Sequence, residues 1–237
     1  MKTTFPKEQK LKTETTTESS KALTEVVEQP LALSTNAGME GEFNVSDFQI
    51  PRLNIANKTG DLSNDFPPGS IVFRKEVLVG NQKSPAKLTI LRMAKKYMQR
   101  IPYGTEERPK IFNAVADVRT AGGTTDITEG DMDIYDPILI LTMAIQSPEG
   151  AHPLFAFEKE GSHFALAQMI LAKSAYNNAG KQLITEATTA LREKLSGGKY
   201  ELVTQIRSNT MGSWFTPVFR LVGKNTPETT AWFDGLI

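Results

Sequence analysis

The run Pro137-Ile-Leu-Ile-Leu-Thr-Met-Ala-Ile145 constrains the fold more than any other segment. It is apolar at nearly every position and is followed by the turn-forming Pro148-Glu-Gly150. A membrane-spanning helix needs about 20 apolar residues. This run is too short for that and reads as a buried strand, Pro137 to Gln146. Beyond the turn, Leu154 to Glu158 reads as the returning arm of a hairpin.

Other segments extend the same pattern. Phe48-Gln-Ile-Pro-Arg-Leu-Asn-Ile55 is extended, and Pro51 keeps it out of the middle of a sheet. The Phe66-Pro-Pro-Gly69 turn feeds a strand from Ser70 to Val79, and a loop, Gly80 to Pro85, leads to a long strand, Lys87 to Ile101. Its alternation is imperfect: Leu91, Met93 and Tyr97 fall on one side, Arg92, Lys96 and Arg100 on the other. Asn113 is placed to cap a short helix, Ala114 to Ala121, stopped by Gly122-Gly123. Gly161 or Ser162 opens one long helix, His163 to about Leu195, with Gly180 weakening its middle and Gly197-Gly198 ending it. Tyr200 to Arg207 and Trp214 to Val222 form a last hairpin. The order predicts an α+β fold, antiparallel and mostly β, with an oligonucleotide-binding-like barrel and one long helix.

The N-terminal stretch differs in composition. Lys12-Thr-Glu-Thr-Thr-Thr-Glu-Ser-Ser-Lys21 is polar and has no aromatic residue, so it buries too little apolar surface to offset its ordering entropy. Residues 1–44 are therefore expected to be a disordered polar tail, and 45–237 a single α+β domain. Leu23 to Leu33 offers a short partner-binding helix limited by Pro30; a solvated tail is the plainer alternative.

Composition narrows the function classes. There is no cysteine, which excludes thiol nucleophiles, disulfides and thiolate metal sites. The two histidines, His152 and His163, lack the spacing of a zinc protease. No phosphate-cradling glycine loop, dinucleotide fingerprint or nucleophile elbow is present. A non-enzymatic role without cofactor or metal is expected. Lys+Arg and Asp+Glu are both 27, so nucleic acid binding requires a local basic patch. The N-terminus has no signal-peptide core, and the expected location is the cytoplasm.

The candidate patch is the basic strand and its loop: Arg92, Lys95, Lys96, Tyr97, Arg100 and Tyr103. Cations on a strand track phosphates, and aromatic rings stack on bases. A solvated edge guarded by lysines is the alternative. The last hairpin adds Arg207, Trp214 and Arg220, with Trp214 and Arg220 on one face and Phe215, Phe219 and Leu221 on the other as core. Trp214 reads either as a stacking residue or as a packing tryptophan. Lys173, Tyr176 and Lys181 share a helical stripe, which either extends the groove or is an ordinary exposed face. Asp126, Glu129, Asp131, Asp133 and Asp136 carry the ligand type of a hard cation but lack calcium-loop spacing, and a solvated acidic loop is the simpler reading. Glu158 and Glu160 flank Lys159 without the partner acidic strand of a nuclease.

Three motifs carry a resemblance: Asp47-Phe-Gln-Ile-Pro-Arg-Leu-Asn-Ile55 after a polar tail, Pro67-Pro-Gly-Ser-Ile71 opening a strand, and Gly212-Ser-Trp-Phe-Thr-Pro-Val218. In these the chain resembles a loose group of bacteriophage proteins, some described as binding single-stranded DNA, over about Asp47 to Val222. The resemblance implies an accessory protein of phage replication or recombination, built on an oligonucleotide-binding barrel and located in the host cytoplasm. Many of that group end in an acidic partner-recruiting tail, whereas Ala231-Trp-Phe-Asp-Gly-Leu-Ile237 has one acid. Trp232 and Phe233 are either a hydrophobic hook for a protein partner or packing residues. The expected function is single-stranded nucleic acid binding, with oligomerisation left open. The rival is a virion, structural or host-interaction protein.

Overall fold

In the computed structural model the described residues are 49–102, 107–128, 132–191, 194–210 and 212–237. The polar tail expected over residues 1–44, Tyr103, Glu129 and Asp131 lie outside them.

The apolar run is the middle of strand β7, Asp133–Gln146. It pairs antiparallel along its length with β4, Ala86–Gln99, and on its other edge with β9, Ser162–Leu171. Two buried neighbours explain why β7 has no polar face: Leu139, Leu141, Met143 and Ile145 point to one side, while Ile138 and Ala144, also buried, point to the other. Beyond β4 lies the hairpin of β10, Gly198–Asn209, and β11, Gly212–Lys224; beyond β9 lies β8, Phe157–Lys159. The order is β11-β10-β4-β7-β9-β8. A separate three-stranded sheet holds β1, Leu53–Ile55, β2, Ile71–Phe73, and β3, Val77–Gly80. Two-residue strands add to the rim: β5, Ile111–Phe112, beside β4, and β6, Gly123–Thr124, parallel to β7. The fold is mostly antiparallel sheet with few helices, and the ladder path is open at both ends rather than closed into a barrel.

Several expectations need correction. Ser162–Leu171 is strand β9, not the start of the long helix. His163 to Leu171 is apolar at most positions, and periodicity does not separate a buried strand from a buried helix in such a run. The deciding feature is the turn before it, where Glu160 and Gly161 take φ 53° and 73° and close a two-residue hairpin between Lys159 and Ser162. The helical stretch starts at Lys173 and runs to Leu191. It comprises α2, Lys173–Ala175, a π turn, Tyr176–Gly180, α3, Lys181–Glu186, and a second π turn, Ala187–Leu191. Leu154 to Glu158 does not return along β7, because β9 occupies that edge. The Ser70–Val79 segment is two strands, broken where Arg74 and Lys75 take φ 56° and 63° in a tight turn that no glycine or asparagine announces.

Helix α1, Val115–Thr120, lies within the expected span, but Asn113 does not cap it; the Asp117 carboxylate accepts the Ala114 N–H instead. The core gathers Ile71 and Phe73 of the small sheet, one face of β4, β7 and β9, and Tyr176, Leu183 and Leu191 of the helical stretch. The small sheet and the last hairpin join at one point. Thr204 Oγ1 donates to the Gly69 carbonyl at 2.6 Å, and Asn57 Oδ1 accepts the Phe215 N–H at 3.0 Å. Gly69 has φ +89°, and a Cβ there would stand 2.8 Å from the Phe215 ring. Gly69→Ala is therefore expected to destabilise the protein by about 2–4 kcal/mol from combined backbone strain and overpacking. Urea denaturation should show a lower midpoint at unchanged slope.

Candidate nucleic-acid interface

Strand β4 carries most of the candidate cations, and its pairing decides where each one points. Ile90 pairs with Met143, but Arg92 pairs with Thr142, so Leu91 is the extra residue of a β-bulge. Before the bulge Leu88 and Ile90 face the core; after it Met93 packs against the core opposite Leu141, and Lys95, itself exposed, and Tyr97 lie on the same side opposite Leu139 and Pro137. Arg92, Lys96 and Arg100 thereby fall on the outer face, while Leu91 belongs to the bulge.

That outer face is partly open along the far half of β4, although Ile138 and Thr142 opposite it are buried. Arg92 is exposed and Lys96 half-buried, and around them Met98, Ile140 and Ile170 are also only half-buried. Among the described residues neither Arg92 nor Lys96 has a carboxylate within ion-pair distance. Arg100 differs: Nε and Nη2 donate to Asp136 at 2.9 and 2.6 Å, a forked pair that raises the guanidinium pKa further.

The remaining candidates divide between two other places. Lys95 reaches along the core side, with Nζ 5.5 Å from the Tyr97 ring centroid. Hydrogen bonding to Tyr97 raises its pKa, partial burial opposes this, and nearby Tyr176 adds to the rise. Tyr176 is buried in the core and offers no open ring face. Lys173 is exposed with φ 51° at the switch from β9 into the helix, and Lys181 is exposed a little further on. In the last hairpin Arg207 pairs across from Trp214, and Arg220 across from Glu201. Both arginines are exposed, whereas Trp214 is half-buried and donates its indole N–H to Ser174 Oγ at 3.1 Å. Trp214 thus packs the hairpin tip onto the start of the helix.

The acidic stretch has protein partners of its own. Asp126 accepts the N–H and hydroxyl of Thr128, which lowers its pKa; Asp133 accepts from Gln99; Asp136 holds Arg100. Among the described residues no group of three His, Asp or Glu side chains is arranged to hold a metal. Glu158 is exposed, and Glu160 accepts a hydrogen bond from Thr229. No described helix is long and apolar enough to cross a membrane.

The near half of the outer face is covered by helix α4, Pro227–Asp234. Thr226 caps it by accepting the Thr229 N–H, and Phe233 is buried edge-on against Phe164 of β9, with centroids 5.3 Å apart. Trp232 also stacks on Phe164, so the C-terminal aromatic pair packs on the domain. Between α4 and the sheet runs a groove of about 370 Å³. Its residues Lys87, Lys199 and Asn225 escaped sequence reasoning, because the pairing of β4 with β10 brings the lysines together and the chain returning from β11 into α4 adds Asn225. Comparison with protein-family models, with curated proteins and with solved structures found no match.

The docking of α4 rests on two carboxylates and is therefore expected to respond to acid. Hydrogen bonds from Lys194 and Ser196 lower the Asp234 pKa, and one from Lys159 lowers that of Glu228. A carboxylate with a depressed folded-state pKa stabilises the fold above its unfolded value, and that contribution is lost as pH falls through the folded value. In a Trp214→Phe background, Trp232 fluorescence is expected to report looser packing as pH drops below about 4. Adding Asp234→Asn and Glu228→Gln should remove that transition; an unchanged acid response would place its origin elsewhere.

Proposed function

We propose that the protein binds single-stranded nucleic acid, DNA foremost, on the open outer face of β4, β7 and β9. It would act without bond chemistry, as an accessory to phage replication or recombination. The observation that carries this reading is the bulge at Leu91. It turns Arg92 and Lys96 outward without a carboxylate partner, onto a face where Met98, Ile140 and Ile170 are half-buried. Unpaired cations neutralise phosphates and release counterions, and a flat half-apolar surface accepts bases without reading their sequence. The two side chains stand about 13 Å apart along the strand, a span that phosphates of one extended strand can bridge.

The oligonucleotide-binding-like barrel belongs to the same proposal. In this chain its counterpart would be the antiparallel sheet with the β10–β11 hairpin bent onto the small sheet at Gly69. The phage resemblance supports the reading through Gln49 to Ile55 and Gly212 to Val218, which flank that junction. Arg207, Arg220 and Lys173 would add charge at the margins, and Trp214 would serve the architecture rather than stack on a base.

Anisotropy titrations of a labelled oligo-dT across a salt series test the proposal. The wild type is expected to bind with affinity falling steeply as salt rises. Arg92→Ala with Lys96→Ala should weaken binding and reduce the log–log salt slope by about 1.4, the release expected for two phosphate contacts on a single strand. Lys95→Ala, on the core side, should leave that slope unchanged. Absence of binding at low salt would defeat the proposal, and an intact slope in the double variant would put the site on another face.

A further inference from the structure

The groove beneath α4 lies on the same side of the sheet as Arg92 and Lys96 but is built differently. Lys87 at the start of β4 and Lys199 at the start of β10 line it, both exposed and neither with a carboxylate in ion-pair range among the described residues. The third lysine, Lys159, is engaged by Glu228 at 2.7 Å and by Glu160, and Glu160 also accepts from Thr229. Two cations therefore remain for a ligand anion.

The polar groups between them are mostly acceptors. Asn225 donates from Nδ2 to Thr89 Oγ1 and to the Ser196 carbonyl, which leaves its Oδ1 unused among the described residues. Gln146 donates from Nε2 to Ser162 Oγ, leaving Oε1 unused. Glu201 lies directly across from Lys87 on one side and Arg220 on the other, so its carboxylate belongs to the lysine end of the groove. Phe164, Phe233 and Val222 supply an apolar wall. Two cations, a row of acceptors and an apolar wall complement a ligand with an anionic end and a flat ring edged with N–H donors. The volume, about 370 Å³, falls at the small end of the range for small-molecule sites, roughly 300–1,000 Å³.

We infer that this groove binds a nucleoside monophosphate with an amino-bearing base, its phosphate on Lys87 and Lys199 and its base donors on Asn225 and Gln146. The ligand is either free or the terminal unit of a nucleic acid strand. The inference stands on the groove alone and does not require the strand-binding face.

Isothermal titration of the full chain with guanosine monophosphate, joined to amide chemical-shift mapping, tests it. Saturable binding is expected, with shifts centred on Lys87, Gln146 and Asn225. Lys87→Ala with Lys199→Ala should weaken it at least about tenfold, since charge-assisted contacts to phosphate are lost. Both lysines are exposed, so the variant should keep the wild-type circular dichroism. Arg92→Ala with Lys96→Ala should bind the nucleotide as the wild type does, which separates this site from the strand-binding face. A 5′-phosphorylated oligonucleotide that displaces the nucleotide identifies the strand terminus as a source; lack of displacement identifies the free nucleotide. No saturation at millimolar nucleotide, or equal affinity in the lysine variant, would overturn the assignment. So would inorganic phosphate binding as tightly as the nucleotide, because the base would then make no contact.

Discussion

The β4–β7 ladder, with its single bulge, is the constraint on which the rest of the molecule depends. β7 is apolar over most of both faces, is paired on both edges, and has its core face fully covered. β4 meets that demand only over its first half by simple alternation. A regular strand that put Leu88 and Ile90 into the core would also put Arg92 and Lys96 there, and burying unpaired cations is prohibitive. The extra residue at Leu91 shifts the phase by one, sends Met93 inward and places Arg92 and Lys96 on the outer face, leaving Lys95 on the core side with its ammonium exposed. One backbone irregularity thus reconciles a hydrophobic core with a basic outer surface in a chain of zero formal net charge.

The same shift sets the electrostatics. Arg100 is placed opposite Asp136 and is neutralised there, whereas Arg92 and Lys96 face Thr142 and Ile138, which offer no charge. Local positive potential arises from missing partners rather than from an excess of lysine. The two coverings of the sheet divide its surfaces. The small sheet and the helical stretch close the core face, and α4 closes only the near half of the outer face. What remains is an open basic half next to a walled groove.

Much of this was legible in the sequence, and the misses have physical causes. The β7 and β4 strands, the last hairpin and the shared side of Arg92, Lys96 and Arg100 follow from alternation and turn residues. The β9 strand was hidden because Ala165, Leu166, Ala167, Met169 and Ile170 suit a buried helix as well as a buried strand. The Arg74–Lys75 turn was hidden because its positive φ angles fall on residues that do not prefer them. Among site residues, the strand cations could be read from spacing. The burial of Tyr176 and the Trp214–Ser174 bond could not, since both depend on where the helix lands. Lys87, Lys199 and Asn225 are far apart in sequence, and no local pattern joins them.

The most direct measurement is an amide chemical-shift map of the full chain titrated with oligo-dT at low salt. Binding on the bulge-turned face should perturb Arg92 to Met98, Ile138 to Thr142 and Gln168 to Ile170 in one concentration-dependent set, with little change at the hairpin tip around Arg207 and Trp214. Perturbations centred on that tip, or on the core-side Lys95 and Tyr97 alone, would contradict the assignment of the outer face. A spectrum unaltered by the oligonucleotide would contradict nucleic acid binding itself.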